Sequence, residues 1–211
     1  MRKLFLPEVT LISLCSRDYD ENQRALDYSS QEIEFGDVKL IRRPDIKNIN
    51  DWNKAIVYDL GDYVFTEYAI LIHNNGFIVN PEMWRDEWLQ YDFAGSPFPL
   101  PSELDNVSYR DVYGNIQRVG NSVGLRSKKL LDLPKKLNLE WKPFHGFYNE
   151  DGAISVNYRH IFEANGCEYM PFEEAVYFGR EKELPENQHI DKPFLFHNYE
   201  GRNAIYKDMG K

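Results

Sequence analysis

Cysteine is scarce in this chain. The 211 residues hold two, Cys15 and Cys167, which form no metal-binding spacing and no disulfide framework. They fit a reducing compartment, with a single bridge left open. No stretch approaches 18 consecutive apolar residues, so no membrane span is expected. The opening MRKLFLPEVTLISLCS has the outline of a signal peptide, but Pro7 and Glu8 interrupt its apolar part and it reads better as a first core strand. The expectation is a soluble protein of the cytoplasm, of a bacterium or of a virus-infected cell. Positive charge is also short. The net charge is −9 and the pI about 5.1, a poor basis for non-specific nucleic-acid binding. A local basic stripe from Arg42-Arg43, Arg126, Lys128-Lys129 and Lys135-Lys136 stays open beside the plainer reading of solvated surface charges.

Signature motifs are missing as well. There is no G-x-x-x-x-G-K-[ST] phosphate loop and no G-x-G-x-x-G fingerprint, which removes the common nucleotide folds of those types. There is no G-x-S-x-G elbow, which removes the usual hydrolase reading.

What is present is aromatic and ordered. Aromatics make up 15% of the chain, which argues against disorder. The length suits one domain, residues 1–211, without repeats or a long linker. Val9–Cys15 reads as a strand, with Asp18 or Asp20 capping a helix that runs to about Ile33 and Gly36 closing the region. Val38–Ile41 is a second strand. Asn50 or Asp51 caps a helix that ends near Gly61. The order β-α-β-α-β predicts an α/β fold, a mostly parallel central sheet with helices on both faces.

Tyr68–Trp84 is the centre of that pattern. Ala69–Ile72 is a continuous apolar run, as in a strand buried on both faces. It stops at His73-Asn74-Asn75-Gly76, where Asn and Gly tolerate positive φ. Phe77–Val79 resumes an extended pattern, and Asn80-Pro81 starts a helix to Tyr91. The turn is either an ordinary hairpin or a ligand turn at the carboxyl end of a strand. Downstream, Phe93–Gly95 and Val119–Leu125 read as strands, and Ser127 caps a helix that Pro134 bends or ends. Residues 111–116 suggest a hairpin around Gly114-Asn115, Ala153–Ala164 a helix, and Cys167–Met170 a strand.

Polar groups cluster at element ends: Ser16-Arg17-Asp18, His73-Asn74-Asn75, Glu150-Asp151, and His197 after the Phe194-Leu195-Phe196 run. In an open α/β sheet such ends gather at one edge. Each has a plainer reading too. Acidic residues at a helix start suit the macrodipole, and a histidine beside a strand end is commonly a satisfied core residue.

The order of these pieces resembles a bacterial and viral "domain of unknown function" family regarded as glycosyltransferases of the GT-A type. The resemblance covers most of the chain. It rests on VTLISLCSRDYDENQRAL, AILIHNNGFIVNPEMWRDEWLQYDFAGSPFP, RVGNSVGLRSKKLL, NEDGAISV, PFEEAVYFGRE and FLFH, in that order. It implies transfer of a sugar from a nucleotide-sugar donor, with UDP-hexose the expected type, to an acceptor hydroxyl on a glycan or on a modified base in phage DNA. Donor-binding positions would be Cys15, Ser16, Arg17, His73, Asn74, Asn75, Gly76, Arg126 and His197. Asp151 would be the base and Glu150 a substrate contact.

The resemblance also implies Mn2+ or Mg2+ at the turn, with Asn75 and His197 as the metal positions. Relatives carry an Asp where this chain has Asn75. An amide oxygen can bind a hard cation but brings no charge, so the metal is expected to be weak or dispensable. Ser122 and Val123 likewise stand where relatives carry glycines. A degenerate, non-catalytic module that binds a nucleotide sugar or glycan is the alternative.

Overall fold

The computed structural model describes residues 3–101, 109–143 and 149–198. Strand β1 (Leu4–Cys15) leads through helix α1 (Tyr19–Ser29) to β2 (Ile33–Arg42), and through α2 (Ile49–Tyr58) to β3 (Tyr68–Leu71). Both β2 and β3 pair with β1 in parallel. Then come β4 (Gly76–Ile78), β5 (Phe93–Pro97), β6 (Val119–Ser127) and α3 (Lys128–Lys136). The central sheet has the order β2-β1-β3-β6-β5. Only β6 runs against the other four strands, so the sheet is mostly parallel.

Side-chain alternation along β3 explains the two covered faces. Ile70 and Ile72 join one apolar cluster with Ala25 and Leu26 of α1, while Ala69 and Leu71 join another with Ala55 and Ile56 of α2. The helices therefore lie on both faces, and β3 reads as a continuous apolar run because each face needs its own set.

The remaining elements are α4 (Glu150–Gly152), a π-helical turn at Ala153–Asn157, α5 (Arg159–Ala164), α6 (Phe172–Phe178), β7 (Gly179–Arg180) and β8 (Leu195–His197). A small second sheet has the order β4-β8-β7.

Several expected boundaries are corrected. Helix α1 ends at Ser29, and Ile33 already belongs to β2. Gly36 lies inside β2, where a Cβ would fall 2.0 Å from the Pro7 carbonyl oxygen. The β1–β2 register shifts beside Pro7, which has no N–H for the ladder. Asn48, not Asn50 or Asp51, caps α2, accepting from the Asp51 N–H at 3.0 Å. The expected helix at 81–91 is two 3₁₀ pieces, Pro81–Met83 and Asp86–Gln90. Asn80 gives no side-chain cap there; its amide donates to the Pro193 carbonyl at 2.6 Å. Near Cys167–Met170 there is a lone bridge, Phe93 to Tyr169, in place of a strand. The hairpin at 111–116 is present as an Arg110–Ile116 bridge with Gly114 at φ 83.

Ser127 caps α3 as expected, accepting from the Leu130 N–H at 3.0 Å while its own hydroxyl donates to the Asp92 carboxylate. Ser127→Ala is therefore expected to lower the unfolding free energy by about 1–2 kcal/mol, read from the urea midpoint. An unchanged midpoint would show that the cap contributes nothing.

Candidate functional site

The chain runs from β1 outward to β2 and then returns to the other side of β1 as β3. The connections after β1 and β3 thus lead to opposite sides, and a crevice forms outside the carboxyl ends of these two strands. A cleft of about 770 Å³ lies there, lined by Cys15–Asp18 after β1 and by His73–Asn75 after β3. Residues 46–49 with Trp52 close one side, and Ser122 and His197 line it further.

The turn after β3 is tight. The His73 N–H donates to the Gly76 carbonyl and the Gly76 N–H to the His73 carbonyl, both at 2.9 Å. Neither Asn74, Asn75 nor Gly76 has a positive φ, contrary to the sequence expectation. Glycine is needed at 76 for space: a Cβ would stand 2.5 Å from Val123 Cγ2 and 2.9 Å from the Phe196 carbonyl oxygen. Strand β4 after the turn does not fold back on β3 as a hairpin partner. It pairs with β8, placing Gly76 opposite His197. The residues at 73 and 197 thereby meet, with ring centres 4.8 Å apart and edge to face.

At the β1 end the groups differ in exposure. The Arg17 side chain is 88% exposed, 3.6 Å from the Asp18 carboxylate. Asp18 takes the left-handed conformation at φ 54 and starts α1 without a side-chain cap. Burial pushes the Cys15 thiol up to about 11, so it is no ready nucleophile.

Gly76, Arg126, Glu150 and Asp151 do not line the cleft. Arg126 on β6 is fully buried. Its Nη1 donates to the Ser122 carbonyl at 3.0 Å, and its Nε and Nη2 have no hydrogen-bond partner among the described residues. Burial lowers its pKa, while Glu150 and Asp151 work to raise it. Glu150 is 3% exposed, with Oε1 unpartnered among the described residues. The Asp151 carboxyl is pushed up to about 7, first by burial and then by the Glu150 charge; the Gly152 N–H, donating at 2.7 Å, pulls it partly back. A carboxylate so placed is suited to taking a proton near neutral pH.

Two links join this carboxylate group to the cleft. Ser122 lines the cleft and its carbonyl holds Arg126. Glu181, whose charge also bears on Asp151, stands 3.6 Å from the His197 ring. Among the described residues no three or more His, Cys, Asp or Glu gather as a metal-binding group. Asn75 is exposed on the turn, with its carbonyl accepting from the Asn198 N–H at 3.0 Å.

Sequence reasoning missed several residues. Asn22 is 3% exposed; its side-chain oxygen accepts from Ser13 Oγ and from the Asn74 N–H, both at 3.0 Å, tying β1 and α1 to the turn. Its signal was a polar residue on the inward face of α1. Trp52 donates its indole N–H to the Leu14 carbonyl at 2.8 Å and forms a cleft wall. Glu181 sits in the FGRE segment, to which the sequence pattern gives no role.

No family model and no curated protein matches this sequence. Solved structures do resemble the fold. A glycosyltransferase involved in the glycosylation of the major capsid of PBCV-1 superposes with a TM-score of 0.57 at 12% identity, over 90% of this chain and 91% of that one. The apo-form glycosyltransferase GlyE of Streptococcus pneumoniae TIGR4 aligns with a TM-score of 0.44 at 8% identity, over 92% of this chain and 54% of that one. The first likeness shows a shared fold. No described helix is long and apolar enough to cross a membrane.

Proposed function

We propose that this chain is a nucleotide-sugar-dependent glycosyltransferase of the GT-A type, with a UDP-hexose donor and a glycan hydroxyl as acceptor. The observation that carries the reading is the cleft at the reversal point between β1 and β3, linked through Ser122 and Glu181 to a carboxylate of raised pKa. The fold shared with the capsid glycosyltransferase supports it. The net charge of −9 favours a glycan over DNA as acceptor.

In the proposed reaction the donor lies in the cleft with its diphosphate toward the His73–Asn75 turn. Asp151 takes the proton of the acceptor hydroxyl as that oxygen attacks the anomeric carbon. The bond from that carbon to the diphosphate oxygen breaks, and the diphosphate leaves with the bonding electrons. Its growing charge needs cations or donors already in place. Arg17, Lys47, His73 and His197 are groups at the cleft that can supply them. Arg126, wholly buried, acts through its field on Glu150 and Asp151.

A divalent cation at the turn would help carry the same charge. Asn75 and His197 make a poor donor set for Mn2+ or Mg2+, since neither is a carboxylate and hard cations favour charged oxygen ligands. No step here passes through a metal. Transfer is expected to persist in EDTA with little change in rate. Complete loss in EDTA with rescue by manganese would defeat this expectation.

The same Asn75 favours a second reading, a non-catalytic nucleotide-sugar or glycan-binding module. A thermal-shift panel of nucleotide sugars, with and without manganese, separates the two when followed by an assay of donor hydrolysis. Stabilisation by one donor together with slow hydrolysis is expected. Stabilisation without hydrolysis or transfer would leave the binding module.

A further inference from the structure

The His73–His197 contact is backed by a carboxylate that the proposed reaction does not use. His197 Nδ1 is shut off from solvent and has no hydrogen-bond partner among the described residues. Glu181 Oε1 stands 3.6 Å from it, beyond a hydrogen bond but within charge-pairing reach. The other Glu181 oxygen accepts from Asn121 Nδ2 at 3.0 Å.

Asn121 is itself held in place. It is 1% exposed, sits at φ 98, and its side-chain oxygen accepts from the Val123 N–H at 3.1 Å. A left-handed, buried asparagine inside a strand is strained, and such strain persists only where the surroundings demand it. Here it aims one amide at one carboxylate. On the far side of His197, Nε2 lies 3.0 Å from the Asn198 amide nitrogen. The ring is therefore hydrogen-bonded at Nε2 and faces a carboxylate at Nδ1, with its edge-to-face partner His73 also on the cleft wall.

We propose that Glu181, aimed by Asn121, is a positioning residue: it holds the His197 ring with Nδ1 turned toward itself, so that the His73–His197 pair meets the diphosphate of a bound donor. The diphosphate half rests on the donor-binding reading above; the positioning half rests on the contacts alone. A carboxylate behind an imidazole selects its tautomer and fixes its plane, as second-layer carboxylates do for ligating histidines. It would thereby pre-orient a cation-capable group where this chain has Asn75 in place of a charged metal ligand.

The test uses Glu181→Gln, which keeps an acceptor for Asn121 and removes the charge. Two readouts are taken on the full chain: the side-chain nitrogen NMR signals of His197 without ligand, and UDP binding by calorimetry. The His197 signals are expected to move, and UDP affinity to fall about tenfold. In a His197→Gln background, Glu181→Gln is expected to have no further effect on UDP affinity. Glu181→Asp, which withdraws the charge by one methylene, is the second variant should the first misfold, with the same shifts expected. Unmoved His197 signals would overturn the positioning role. So would unchanged affinity, or additive losses in the double variant. A wild-type chain that binds neither UDP nor another nucleoside diphosphate would overturn the diphosphate half and the donor reading together, while the His197 signals still decide the positioning half.

Discussion

Asp151→Asn is expected to lower sugar transfer by about 10²- to 10⁴-fold, with donor affinity held at the wild-type value. Asparagine fits the same space and can keep an oxygen for the Gly152 N–H, but it cannot take a proton. Single-turnover transfer and donor calorimetry on the same preparation check both halves. Near wild-type turnover would remove Asp151 as the base.

The pH dependence follows from the raised carboxyl. A general base works when deprotonated, so the wild-type rate should rise with pH through about 7 and level off above it. Stability runs the opposite way. The native carboxyl keeps its proton to higher pH than the ordinary value of 3.8, so between these values the folded state binds more protons than the unfolded one. Stability contributed by this group is complete below 3.8 and lost as pH rises through about 7. Asp151→Asn should therefore raise the melting temperature most above pH 7 and least near pH 4. A variant less stable than wild type at pH 8 would contradict this account.

Arg126→Ala is expected to cost about 3–5 kcal/mol of stability, the usual effect of removing one partner from a buried charged group. The guanidinium is fully buried, with Glu150 and Asp151 as its charge partners and Phe93 5.7 Å beneath it. Truncation leaves a cavity and two carboxyls without their cation. The loss should be larger at pH 8 than at pH 5.5, because Asp151 holds its proton through the lower value. Urea unfolding at both pH values measures it. Equal midpoints for variant and wild type would show that Arg126 is not the cation that holds these carboxyls.

The sequence by itself determined the β-α-β-α-β order, a mostly parallel sheet and the polar turns at the carboxyl ends of β1 and β3. It did so because strands buried on both faces must be continuously apolar, and because polar and turn-forming residues interrupt such runs. Seven of the nine donor positions that the resemblance implied, Cys15, Ser16, Arg17, His73, Asn74, Asn75 and His197, lie on the cleft wall. Local pattern misjudged what depended on partners far along the chain. Asn-Gly looked suited to the turn because both residues tolerate positive φ, yet none is used there and Gly76 is required for the close approach of Val123 and β8. Phe77–Val79 looked like the second arm of a hairpin, yet its partner is β8, more than a hundred residues later. Glu181 carried no role in the sequence pattern, and only the parallel pairing of β7 with β8 sets it beside His197. Tertiary structure alone decided these points, since strand partners and burial are set by long-range packing that no local spacing encodes.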